Sequence, residues 1–325
     1  MKKGFKIAGI IILAFIIILI VSPFLFKGKI ETYIKDEINK SLNANVSWEE
    51  LDLRLISNFP KASVGLNNIQ VVNKAPFQGD TLFYAEAVNL NMGLMQLFKS
   101  EGYSIDEFSL NEPKITLNIN KEGLTNWDIV KASETKPKEA KEQSKPSNFQ
   151  LDLKHYEINN ATLIYLDEVG KIAFRLEEFN HAGDGDFTST IFNLNTHTDT
   201  YVSLDMEDTN YLNRNYFELD ADLGVDLEQM KFTFKENEAS INQLALQFDG
   251  YYQINENNQE MDIKLSTPTS DFKNFLALIP EAYASSLDGV ETTGNFDIKG
   301  HVYGKMDDKY IPKLDINIDS KQASF

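Results

Sequence analysis

Apolar residues are distributed along this chain in three patterns, and each predicts a different kind of element. The first is an unbroken run: from Ile7 to Phe26 there are twenty consecutive residues without a charge. At about 1.5 Å per helical residue they reach roughly 30 Å, one hydrocarbon thickness, which predicts a membrane-spanning helix. Next, Ile30, Ile34, Ile38 and Leu42 recur every four residues among Lys, Glu and Asp, which places one apolar stripe on a leading helix. From Val46 onward the period falls to two.

Period two puts alternate side chains on opposite faces of a strand, one dry and one wet. Ile115, Leu117 and Ile119 alternate with Thr116 and Asn118, and Phe149, Leu151 and Leu153 with Gln150 and Asp152. The longest case sets Phe217, Leu219, Ala221, Leu223 and Val225 against Glu218, Asp220, Asp222, Gly224 and Asp226. Further runs lie at Ile172 to Leu176, Phe192 to Thr196, Leu244 to Phe248 (with Leu246 between), Met261 to Leu265, Phe296 to Val302 and Leu314 to Ile318. Short strands separated by Asn, Gly and Asp predict an antiparallel meander.

Helical spacing interrupts the strands in two places. One is Gly93 to Lys99; the other follows Pro268, with Asp271 near its start and Phe272, Phe275, Leu276 and Ile279 on one stripe before Pro280. Residues 132 to 148 contain no large apolar side chain, so the sequence predicts a disordered charged loop there. The resulting map has a cytoplasmic tip and anchor at 1–27, a first β portion with its leading helix at 28–131, the loop at 132–148 and a strand meander at 149–325. The fold class is mainly β with a few helices.

The flanks of the apolar run decide its fate. Lys2, Lys3 and Lys6 precede it, as they would in a signal peptide, but Ser22-Pro23-Phe24-Leu25-Phe26 is bulky where small residues would mark a cleavage site. The run therefore reads as an uncleaved single-pass anchor. The lysine bias places the N-terminus in the cytoplasm and the bulk of the chain outside it.

Composition removes several function classes. With 31 Lys and Arg against 49 Asp and Glu, the net charge of −18 repels a nucleic-acid backbone. There is no cysteine, hence no disulfide, thiolate metal site or cysteine nucleophile. His155, His181, His197 and His301 are scattered, and none has a second His four residues on. Gly102-Tyr103-Ser104 lacks the closing Gly of a nucleophile elbow, and no Gly-rich loop ends in Gly-Lys-Ser/Thr. Asp184-Gly185-Asp186 could bind calcium or make a turn, and it reads as a turn because the further oxygen ligands of a calcium loop are not at their spacing; Glu218, Asp220, Asp222 and Asp226 read as a solvated strand face. Nothing in this inventory supports an enzyme, a metal or a cofactor.

A one-sided sheet has to cover its dry face. Either it packs on itself as a sandwich or barrel, or it curls into a groove that an apolar ligand fills. Periodicity alone does not separate the two. In the second case the lining includes Phe217, Leu219, Leu223, Val225, Leu244, Leu246 and Phe248.

Two stretches resemble a known family. Phe59-Pro60-Lys61-Ala62-Ser63-Val64-Gly65-Leu66, followed by Ala85-Glu86 and Met92-Gly93-Leu94-Met95-Gln96-Leu97-Phe98, is similar to the N-terminal region of AsmA-like envelope proteins. Leu110-Asn111-Glu112-Pro113-Lys114-Ile115 and then Gly123-Leu124-Thr125-Asn126-Trp127-Asp128 resemble the family's strand, proline, strand, Gly-x-x-Asn-Trp order. The motif residues are Pro113, Gly123, Asn126 and Trp127. Tyr310-Ile311-Pro312 also leads a final strand.

The resemblance implies a protein of the inner membrane of a diderm envelope, its long curled antiparallel sheet forming an apolar groove in the periplasm. Relatives are grouped with TamB-like and chorein-like proteins that carry phospholipid tails along such a groove. The partners implied are membrane phospholipids and other envelope proteins, and the function is lipid transport between inner and outer membranes, hence outer-membrane biogenesis. A tethering protein for outer-membrane assembly, with a packed β-sandwich, is the alternative. Relatives are commonly longer, and the run reaching Phe325 reads as a strand that continues beyond it.

Overall fold

The computed structural model describes residues 28, 31–33, 35–54, 61–93, 105–131, 153–207, 209–268, 270–271, 274, 293–307 and 309–324. The apolar run Ile7 to Phe26, the segment 132–148, Gly102-Tyr103-Ser104 and the alternation at Phe149 to Asp152 lie outside them. Among the described residues no helix is long and apolar enough to cross a membrane. The chain divides into two units, Met1–Leu110 with Asn126–Leu151, and Asn111–Thr125 with Asp152–Phe325.

In the first unit, a helix described over residues 31–33 and 35–41 leads into β1 (Ala44–Ser47), β2 (Glu50–Arg54), β3 (Lys61–Asn73), β4 (Thr81–Gly93) and β5 (Glu107–Asn111). β3 pairs antiparallel with β1, β2 and β4, so Leu51 faces Leu66 and Leu66 faces Val88. Of the expected helical stripe, Ile38 and Leu42 are half-buried, and Ile30 and Ile34 lie outside the described residues. Polar groups fix the helix to β1. The Asn39 amide accepts from Val46 N at 2.7 Å and donates to Val46 O at 2.9 Å. Lys35 Nζ donates to Trp48 O at 2.9 Å and sits 4.5 Å from the centre of the Trp48 ring. A side chain that satisfies both backbone groups of a strand residue does what a neighbouring strand would do.

The second unit holds β6 (Lys114–Ile119), β7 (His155–Asp167), β8 (Ile172–Gly185), β9 (Ile191–Met206), β10 (Thr209–Asp226), β11 (Lys231–Ile241), β12 (Leu244–Ile254), β13 (Gln259–Ser266), β14 (Ser270–Asp271), β15 (Thr293–Met306) and β16 (Lys313–Ser324). From β7 to β13 each strand pairs antiparallel with the next, β15 joins β13, and β16 joins β15. The expected meander is therefore present, with corrections.

The sheet is mixed rather than wholly antiparallel: β6 runs parallel to β7, with Ile115 beside Leu163 and Leu117 beside Tyr165. The chain between Ile119 and His155 far exceeds the dozen or so residues that a parallel connection needs. Leu153 is buried but precedes β7, which starts at His155. Gly93, expected to start a helix, is the last residue of β4. Asp271, expected near the start of another, lies in β14 opposite Asn295, and helical structure is described only at Asn274.

The strands are also longer than expected, up to 18 residues in β10. The reason is the β-bulge, in which one extra residue breaks the two-residue alternation while the strand continues. Register shifts interrupt β7 between Ile158 and Ala161, β8 between Glu177 and Asn180, and β10 between Leu212 and Asn215. Each shift contains a residue of positive φ: Asn160 at 53°, Glu178 at 51° and Arg214 at 50°. Each such bulge bends its strand and increases its twist.

Candidate functional site

Directly paired residues of an antiparallel ladder lie on the same face of the sheet. Phe217 is paired with Ile241 and Ile241 with Leu244, while Leu219 leads through Ala239 to Leu246. Leu223 pairs with Phe234 and Val225 with Phe232. Phe248 lies opposite Asn237 on one side and Leu265 on the other, and the row continues to Gly300 and Ile316. All seven residues expected to line a groove thus share one face of the sheet.

The register of β11 makes this possible. Its face-forming residues are even-numbered up to Phe234 and odd-numbered from Asn237, with a shift between them. Without that inserted residue, Ala239 and Ile241 would point to the opposite face. Asn237 is only 1% exposed, and its Oδ1 accepts from the backbone N of Asp222 at 2.7 Å, replacing a ladder bond at the irregularity. Its Nδ2 is buried without a partner.

The face is apolar without being sealed. Val225 and Leu244 are buried at 5% and 4% exposure, whereas Phe217, Leu219, Leu223, Leu246 and Phe248 are only half-buried. Leu314, Ile316 and Ile318, which extend it onto β16, are 59%, 57% and 57% exposed. In a sandwich core such side chains would be shielded by a facing sheet. All the described strands of this unit belong to one sheet. A cavity of about 990 Å³ runs along β11, β12, β13, β15 and β16. The residues bordering it come from both faces of the ladder, Phe248, Leu265, Leu314 and Ile316 from the apolar one and Lys264 and His301 from the other. Of the seven groove candidates only Phe248 borders it.

One hydrogen-bonded row interrupts the apolar face. Ile158 pairs with His181, His181 with Thr198 and Thr198 with Leu219. Tyr156 Oη lies 2.9 Å from His181 Nε2, and His181 Nδ1 lies 2.8 Å from Thr198 Oγ1. The Tyr156 ring rests over Gly183, where an added Cβ would come within 2.5 Å of it. Burial lowers the imidazole pKa of His181, and the nearby His197 lowers it further. The isolated position of His181 in the sequence gave no hint of this row, because both its partners are on other strands.

The opposite face carries the remaining histidines, each against a carboxylate: His155 Nδ1 with Asp184 Oδ1 at 2.9 Å, His197 Nδ1 with Asp220 Oδ1 at 2.7 Å and His301 Nε2 with Asp262 Oδ1 at 2.9 Å. The hydrogen bond to Asp220, with the charges of Asp220, Asp199 and Glu218, raises the pKa of His197. Ligand atoms of His197, Glu218 and Asp220 lie within 4.8 Å of one another on this surface. Asp186 accepts from Thr188 N at 3.2 Å and Thr188 Oγ1 at 2.6 Å, the geometry of a turn.

The family-motif residues build turns rather than a reactive site. Pro113 is fully buried, and its carbonyl accepts from Thr162 N at 2.8 Å. Gly123 has φ +76°, a left-handed value, and its N donates to Asn120 O at 2.9 Å. Asn126 is 1% exposed, and its carbonyl accepts from Asn73 Nδ2 at 2.6 Å. Trp127 is 39% exposed.

No curated protein and no solved structure matches the chain. The AsmA family model matches residues 1–195. That span takes in the N-terminal apolar run, the leading helix, the first eight strands and the Pro113 to Trp127 motif, more than half of the 325 residues, and the chain belongs to the AsmA family.

Proposed function

We propose that this protein is a non-enzymatic lipid-handling protein, anchored by residues 7–26 in the inner membrane with its strands in the periplasm. It holds phospholipid acyl chains against the apolar face of β10 to β16 and contributes to phospholipid transport between the membranes, and so to outer-membrane biogenesis. The observation that carries this reading is the face itself. Phe217, Leu219 and Leu223 of β10 and Leu246 and Phe248 of β12 share this face and remain half-exposed, and the described strands of their unit form no second sheet to cover them. Large exposed apolar surfaces on soluble domains mark binding sites, and acyl chains match an extended stripe of this kind. Membership of the AsmA family is consistent with an envelope role.

Native mass spectrometry of the chain from residue 28 onward, purified without detergent, tests the reading. The expected result is a ladder of masses displaced by one or more phospholipids. A single lipid-free mass, from a chain whose apolar face excludes added phospholipid, would overturn it.

A further inference from the structure

The hydrogen-bonded row on the apolar face is collinear with the groove candidates. Ile158, His181, Thr198, Leu219, Ala239 and Leu246 are successive partners across β7 to β12. Neighbouring strands lie about 4.8 Å apart, so roughly 19 Å separates His181 from Leu246 along this line. A ligand stretched over Leu219, Ala239 and Leu246 therefore meets polar atoms at one end. Those atoms are held in place. The Tyr156 ring fills the space that a side chain at Gly183 would take, with the Phe187 ring edge-on at 6.1 Å. Gly183 does not have a positive φ, so the ring rather than the backbone calls for glycine there.

Three groups joined by two hydrogen bonds have one donor proton to spare, because a neutral imidazole carries one N–H and each hydroxyl one O–H. Thr198 is 6% exposed, whereas Tyr156 is half-buried. A spare proton on Thr198 would be buried without an acceptor, which costs more than leaving it on the accessible phenol. Burial thus selects one arrangement: Thr198 Oγ1 donates to His181 Nδ1, His181 Nε2 donates to Tyr156 Oη, and the Tyr156 proton points away from the row. Burial, with the charge of Asp184, also raises the pKa of the phenol and so keeps that proton on it. Among the described residues Tyr156 Oη has no other partner. An acyl chain laid over this donor would leave it unsatisfied, so a lipid that covers the row has to bring an acceptor. We propose that Tyr156 Oη donates to an ester carbonyl of a bound diacyl lipid, with the glycerol end at the row and an acyl chain extended over Leu219, Ala239 and Leu246. An uncharged acceptor suits a row that contains no cation, since phosphate is held best by charged donors. This inference rests on the lipid reading and names the part of the lipid that is recognised.

The test is a competition on the full chain in detergent micelles, read by native mass spectrometry. Diacyl and dialkyl-ether phosphatidylethanolamine of the same chain length are added in equal amounts. They share headgroup and phosphate, differ in the ester carbonyls, and are told apart by mass. Lipid that Leu219→Asp still retains is held at the anchor and is subtracted. Wild type is expected to bind the diacyl lipid in an excess of about fivefold, the worth of one net hydrogen bond. Tyr156→Phe keeps the ring over Gly183 and removes the donor; it is expected to bring the two lipids to parity while occupancy by the ether lipid stays unchanged. Equal binding of both lipids by wild type would overturn the proposal and leave the lipid reading standing. A preference that survives Tyr156→Phe would also overturn it, because the carbonyl is then held elsewhere. Binding of neither lipid beyond the amount retained by Leu219→Asp would overturn both.

Discussion

At the scale of single residues, the two faces of the second unit treat their histidines in opposite ways. Burial beside Tyr156 and Thr198 favours the neutral form of His181, whereas Asp220 and its neighbours favour the charged form of His197. The consequences for stability have opposite signs. The lowered pKa of His181 means that stability is complete above the ordinary value of about 6.5 and is lost as pH falls below it. The raised pKa of His197 means a contribution complete below about 6.5 and lost as pH rises through the folded value. Imidazole NMR titrations are expected to place the His181 midpoint below the ordinary value and that of His197 above it. His181→Gln should remove part of the acid-side loss of stability, and His197→Gln part of the loss on the alkaline side. Asn237 supplies a second test. Truncation to Ala removes the acceptor for Asp222 N at the β10–β11 irregularity. A net hydrogen bond of this kind contributes about 1 kcal/mol, and more when the abandoned donor is buried. Asn237→Ala is therefore expected to cost about 1–2 kcal/mol in denaturant unfolding.

At the scale of the element, the alternation that runs from Phe217 to Val225 was legible in the sequence, and the structure places it in one uninterrupted face of β10. The ends of the strands were not legible. β8 and β10 continue through Glu178 and Arg214, whose left-handed backbone inserts an extra residue, and no hydrophobic pattern marks such positions. Pairing was hidden too, since the parallel partnership of β6 with β7 joins segments far apart in the chain. The open face makes a prediction at this scale. In a packed sandwich, Leu219→Asp would bury an unpaired carboxylate and destabilise the fold by several kcal/mol. On a half-exposed face water reaches the carboxylate. Leu219→Asp and Leu223→Asp are expected to keep near-wild-type circular dichroism, to lose under about 2 kcal/mol of stability, and to lose most co-purifying phospholipid. Collapse of either variant would favour a sealed core, and a folded variant with undiminished lipid would remove β10 from the binding surface.

At the scale of the whole molecule, the apolar run from Ile7 to Phe26 carries the proposed membrane anchoring. With three lysines before the run, a reporter fused after Asn148 is expected to be exported, and the chain to stay with membranes through a carbonate wash. A cytoplasmic reporter signal would reverse the topology. The sequence by itself determined the period-two strands and the family motif, because each depends on neighbours along the chain. Gly123 needs only its own turn to require a left-handed backbone. Only the tertiary structure decided which strands pair, how the bulge in β11 returns Ala239 and Ile241 to the face of Leu219 and Phe217, and that this face remains half-exposed. Register and burial are set by contacts between segments distant in sequence, and the free energies that select them belong to the pairing rather than to either strand alone.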